Sequence, residues 1–112
     1  MTQYHEPIDK LDEKTKDITR ALMSLKEEIE AVDWYNQRVA ASDDETLKEV
    51  LAHNRDEEIE HAVMTLEWLR RNMDVWDENL KKYLFTTENL LEVEESVTED
   101  KEDKDLGLGD LK

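Results

Sequence analysis

One spacing runs through the first third of the chain. Ile8, Leu11, Thr15, Ile18, Leu22, Leu25, Ile29, Val32, Asn36 and Val39 follow one another in alternating steps of three and four. That rhythm keeps a largely apolar seam on one side of a helix and predicts a single long helix over about 7–41. Pro7 suits its first turn, where the N–H that proline lacks has no partner anyway. Ser42 and Glu45 form the S-x-x-E signature of a capping box and predict the start of a second helix. Its stripe is Leu47, Val50, Leu51, Asn54, Glu58, His61, Thr65, Trp68 and Leu69, and Arg70 and Arg71 place cations near its end. The short connection at 42–44 makes the two helices an antiparallel hairpin.

A third, shorter helix is expected from about Asp74, with Trp76, Leu80, Tyr83 and Leu84 on one face. The pattern fades beyond Leu91. Residues 92–105 are mostly Glu, Asp and Lys and read as a solvated linker, while 106–112 turn apolar again. The expected organisation is therefore a helical domain over 1–91, a flexible acidic linker over 92–105 and a terminal segment over 106–112.

Composition narrows the class. The chain has 112 residues, of which 41% are charged, with only two Gly and one Pro to interrupt helices. Three Trp and 38% hydrophobic residues argue against a disordered chain. The absence of Cys excludes disulfides and thiolate metal sites. No apolar run approaches the roughly 18 residues that a membrane span needs, and no signal-peptide core is visible. A soluble, cytoplasmic protein without membrane contact is expected. The formal net charge of −16 repels phosphates, so no nucleic-acid partner is expected and cations are natural ligands.

A hairpin of two long helices leaves an apolar face uncovered, and a helical bundle wants four helices around its core. The fold class is thus all-α: a two-helix hairpin plus a short third helix, completed into a four-helix bundle by a symmetric second copy.

Within the second stripe, Glu58 and His61 are polar residues at apolar positions. Their i, i+3 spacing puts both on one face within reach of a single ion, and carboxylate with imidazole suits iron, manganese or zinc. Glu28 is the first-helix carboxylate that best faces inward, lying on the column of Leu25 and Val32, whereas Glu27 and Glu30 lie further round. The alternative makes His61 an interfacial histidine and Glu58 a partner of Arg55 or Lys48. One chain offers a single Glu and a single Glu-x-x-His; two chains about a two-fold axis offer ligands for two metals.

The residues from Met23 to Leu84 resemble the encapsulated ferritins, ferritin-like proteins packaged inside encapsulin nanocompartments. The resemblance is carried by Glu27-Glu-Ile-Glu-Ala-Val-Asp-Trp-Tyr35, Leu51-Ala-His-Asn-Arg-Asp-Glu-Glu58, His61, Met64-Thr-Leu-Glu-Trp-Leu-Arg-Arg-Asn72 and Lys82-Tyr-Leu-Phe-Thr86. It implies a ferroxidase that oxidises ferrous iron with dioxygen at a di-iron centre between two subunits, in a homodecameric ring of five dimers. The oxidised iron is then stored as mineral in the encapsulin lumen. By the same resemblance Glu28, Glu58 and His61 are the iron ligands and Glu27 and Glu30, with Trp34, form a metal-entry site. Tyr35 lies beside the iron and is counted with the catalytic residues. Ca, Zn or Mn are expected as substitutes for iron. His5 and His53 are expected to stand apart. Residues 106–112 resemble an encapsulin-targeting peptide. Two other readings share parts of this pattern: a coiled-coil scaffold whose acids are only solvated, and a rubrerythrin- or catalase-like enzyme that consumes peroxide.

Overall fold

The computed structural model describes residues 4–96, and among them every regular element is helical. A 3-10 turn spans Ile8–Lys10. The long helices follow as α1, Glu13–Ala41, and α2, Glu45–Asn72, and a shorter α3 covers Asp74–Tyr83.

The first helix starts later than the seam predicts. Leu11 is extended (φ −105°, ψ 125°) and separates the 3-10 turn from α1. Asp12 then caps α1, its Oδ1 accepting from the Thr15 N–H at 2.8 Å. That bond holds the Asp12 carboxyl below its ordinary range. The spacing runs on through 8 and 11, but Ile8 is exposed in the 3-10 turn; the cap, not the spacing, fixes the start.

The second start also differs. Asp44, not Ser42, caps α2, its Oδ1 accepting from the Leu47 N–H at 2.9 Å. Ser42 instead closes α1, donating its N–H to the Arg38 carbonyl at 3.0 Å, while its Oγ accepts from the Asp44 N–H at 3.1 Å. Three residues thus finish one helix and begin the next, reversing the chain.

Two cross-ties set the antiparallel register. Lys14 Nζ donates to Asn72 Oδ1 at 2.7 Å near the open end of the hairpin, and Arg55 Nη1 donates to Asn36 Oδ1 at 3.0 Å nearer the turn. Between them the facing seam of α1 is Ile18, Ala21, Leu25, Glu28, Val32 and Tyr35, and Val39 continues it towards the turn, all half-buried. This corrects the predicted seam at every second member. Leu22 and Ile29 remain 40% and 55% exposed, and Asn36 is exposed as well. On α2 the half-buried residues include Leu51, Asn54, Arg55, Glu58, Ala62 and Thr65, whereas Leu47, Val50 and Trp68 are exposed.

Among the described residues only Leu69 is fully buried. A hairpin with one buried residue has little of the apolar burial that stabilises a folded chain, and Ile29, Val50, Val63 and Met64 are left exposed in the single chain.

Residues 74–96 form a separate unit. Trp76, Leu80 and Tyr83 are half-buried on α3, while Leu84, expected on the same face, is exposed. Two residues past the end of α3, Phe85 takes a left-handed conformation (φ 64°) with its side chain fully exposed. Thr86 Oγ1 donates to the Tyr83 carbonyl at 2.7 Å and secures the last turn. Asn89 opens a further helical stretch over 90–96, its Oδ1 accepting from the N–H groups of Leu91 and Glu92. Helix therefore continues past 91, where the acidic linker was expected to begin; the rest of 92–105 and all of 106–112 lie outside the described residues.

Candidate metal centre

The two long helices each carry a half-buried carboxylate in the stretch between the cross-ties. Glu28 comes from α1, held between Leu25 and Val32; Glu58 comes from α2, three residues after Arg55; both are half-buried and both lie between the two cross-ties. Glu28 Oε1 is buried and has no hydrogen-bond partner. A buried carboxylate oxygen without a donor is costly, because it gives up hydration and receives nothing in return.

Glu58 has a neighbour of the expected kind. Its Oε1 lies 3.5 Å from His61 Nδ1, with the two side chains 29% and 48% exposed. His61 is on the flank of the hairpin, not in the seam where the stripe put it, so the pair faces outward at its histidine end. Neither cation proposed as an alternative partner pairs with Glu58. Arg55 is turned to Asn36 and to Asp56 Oδ1 (3.1 Å), and no ion pair joins Lys48 to Glu58.

The donor set suits a divalent metal: carboxylate oxygens on two helices, one of them idle, and an imidazole one turn away. It is incomplete within one chain. Among the described residues no group of three or more His, Asp or Glu side chains gathers closely enough to hold an ion. Completion requires either movement of these side chains or donors from a second chain.

The remaining predicted residues sit around this core. Glu27 and Glu30 are exposed on α1. Trp34 is 53% exposed at an open depression shared with Gln37, Arg38 and Ala41. Tyr35 is half-buried in the seam two turns from Glu28, and the Arg38 guanidinium stands over its ring at 5.2 Å. His53 points to solvent and lies 3.3 Å from Glu57, apart from the Glu28–Glu58 region. Further along α2, Glu67 receives Arg70 through two nitrogens at 2.7 and 2.8 Å and Arg71 at 2.7 Å. Arg70 and then Arg71 hold its carboxyl down at about 2. Sequence reasoning did not single out this clamp or the Asn36–Arg55 tie; an Arg three or four residues after a Glu is the signal for the first, and nothing in the sequence marks the second.

No helix among the described residues is long and apolar enough to cross a membrane. The family model described as EncFtn-like matches residues 3–87. A ferritin-like protein of Thermotoga maritima is 57% identical over 111 residues, covering 97% of each chain. An encapsulated ferritin-like protein of Rhodospirillum rubrum is 56% identical over 94 residues, covering 84% of this chain and 67% of its own. Among solved structures, a crystal structure of a protein from Nitrosomonas europaea superposes with a TM-score of 0.74 at 57% identity, covering 77% of this chain and 94% of that one.

Proposed function

The chain belongs to the EncFtn-like family, and on that premise we propose that it is a ferroxidase, oxidising ferrous to ferric iron for storage inside an encapsulin compartment. The observation that carries this reading is Glu28 Oε1, a buried acceptor without a donor on α1, with the Glu58–His61 pair on the other long helix, α2. A ferrous ion supplies the charge that this oxygen lacks.

Two copies of the hairpin, paired through the face that bears His61 and the exposed Ile29, bring together two Glu28, two Glu58 and two His61 side chains. Such a set holds two iron ions as substrate, each giving one electron to dioxygen. Anionic carboxylates favour the ferric state by stabilising the higher charge, and the neutral imidazole completes the donor set without adding charge. Glu27 and Glu30, exposed beside the seam, concentrate cations at its mouth. Half-buried Tyr35 keeps bulk water from the seam on the turn side. Residues 106–112, outside the described residues, are the proposed attachment to the shell, and a ring of five such pairs is the proposed assembly.

Aerobic oxidation of ferrous iron, followed by the absorbance of the ferric product, tests the reading. Wild type accelerates the reaction, whereas Glu58→Ala and His61→Ala return it to the uncatalysed rate with helicity retained in far-UV circular dichroism. Wild-type turnover in Glu58→Ala overturns it and leaves a helical scaffold.

A further inference from the structure

Arg55 is a half-buried cation on α2, three residues before Glu58. Its side chain is 27% exposed, much like that of Glu58 at 29%. The two residues are three apart on α2, the spacing at which helix neighbours pair. Elsewhere on the same helix the same spacing, with the acid first, does form an ion pair: Glu67 with Arg70 at i, i+3. Yet Arg55 does not pair with Glu58. Its Nη1 is taken by Asn36 Oδ1 from α1 at 3.0 Å, and its Nε by Asp56 Oδ1 at 3.1 Å. A neutral acceptor on the opposite helix and the carboxylate of the very next residue hold the guanidinium away.

We propose that Asn36, with Asp56, is a positioning residue that withholds Arg55 from Glu58 and so keeps the Glu58 carboxylate free to bind a divalent metal. Released from Asn36, the guanidinium is drawn to Glu58, the half-buried carboxylate three residues on along the same helix. An ion must then displace a guanidinium before it binds. This rests on the metal-centre reading above, and it adds that metal affinity is set partly by a competitor inside the chain.

The test titrates zinc ions into the full-length protein by calorimetry, with helicity checked for each variant. Asn36→Ala binds zinc about three- to fivefold more weakly than wild type, the worth of a partly exposed ion pair that metal must break. Asn36→Asp retains the acceptor and binds within about twofold of wild type. Asn36→Ala combined with Arg55→Met removes the competitor, keeps the apolar stem and restores the wild-type affinity. A merely structural role for Asn36 leaves the double variant as weak as the single one, and that result overturns the proposal. Unchanged affinity in Asn36→Ala overturns it too, while leaving the metal centre in place. Failure of wild type itself to bind zinc removes the metal centre and this inference together.

Discussion

Replacing Glu28 with methionine separates the energetics of the empty seam from those of the filled one. Methionine keeps the length and helix propensity of glutamate and adapts to irregular gaps, but carries no atom that needs a hydrogen bond. In the metal-free protein Glu28 Oε1 is buried and idle. An unmet buried acceptor costs about 1–3 kcal/mol, so Glu28→Met gains about that amount in the presence of a chelator. With a urea slope of about 1.5 kcal/mol/M the midpoint rises by about 0.7–2 M. Metal reverses the order. Zinc at about a thousand times its dissociation constant stabilises wild type by about 4.1 kcal/mol and leaves the variant, short of a ligand, nearly unmoved. The assay is urea unfolding followed by circular dichroism, at one fixed protein concentration, with chelator and then with zinc. The two stability curves should cross. A metal-free Glu28→Met protein less stable than wild type refutes the reasoning, since Glu28 would then be making a favourable contact in the empty seam.

Other outcomes follow from single contacts. Asp44→Ala removes the cap from α2 and should lower stability by about 1 kcal/mol in thermal melts, more than Ser42→Ala does. Glu67, held at about 2 by Arg70 and Arg71, has a folded value below its ordinary 4.5; its clamp therefore stabilises above about 4.5 and is lost as pH falls towards 2. Glu67→Gln should flatten that acid limb in a pH series of melting temperatures. Deleting 106–112 should leave iron oxidation intact and prevent loading into a co-expressed encapsulin, read by co-purification with the shell.

The hairpin was legible because two long helices joined by three residues leave few alternatives: Gly and Pro are almost absent, and the seam repeats without a break. Its phase was not. Ile18, Leu25, Val32 and Val39 belong to both possible seams, and the intervening member is 21, 28 and 35 in one and 22, 29 and 36 in the other. Hydropathy favours Leu22 and Ile29, yet the structure turns Ala21, Glu28 and Tyr35 inward. A helix in half a bundle carries two contact faces, one for its hairpin partner and one left open, and a single sequence superimposes them. The same overlap put His61 in the seam, when it stands on the flank. Glu28 and Glu58 were readable as inward carboxylates because each breaks an apolar column. The Asn36–Arg55 tie was not, because it joins residues on different helices, and Asn36, though a polar member of the apolar seam, does not name its partner.

The three-residue joint at 42–44 also bears on timing. Because it reverses the chain with bonds closed inside a few residues, the hairpin is built from local steps, and helices and short loops form within about a microsecond. Meeting a second copy is far slower. At typical association constants of about 10⁵–10⁷ M⁻¹s⁻¹, chains at 1 μM wait about 0.1–10 s for a productive encounter. Throughout that interval Ile29, Val50, Val63 and Met64 stay in water. The net charge of −16 then acts as a brake as well as a guard, repelling stray partners and correct ones alike. Added salt or divalent ions screen that repulsion, so the proposed metal would also hasten the proposed pairing of two copies.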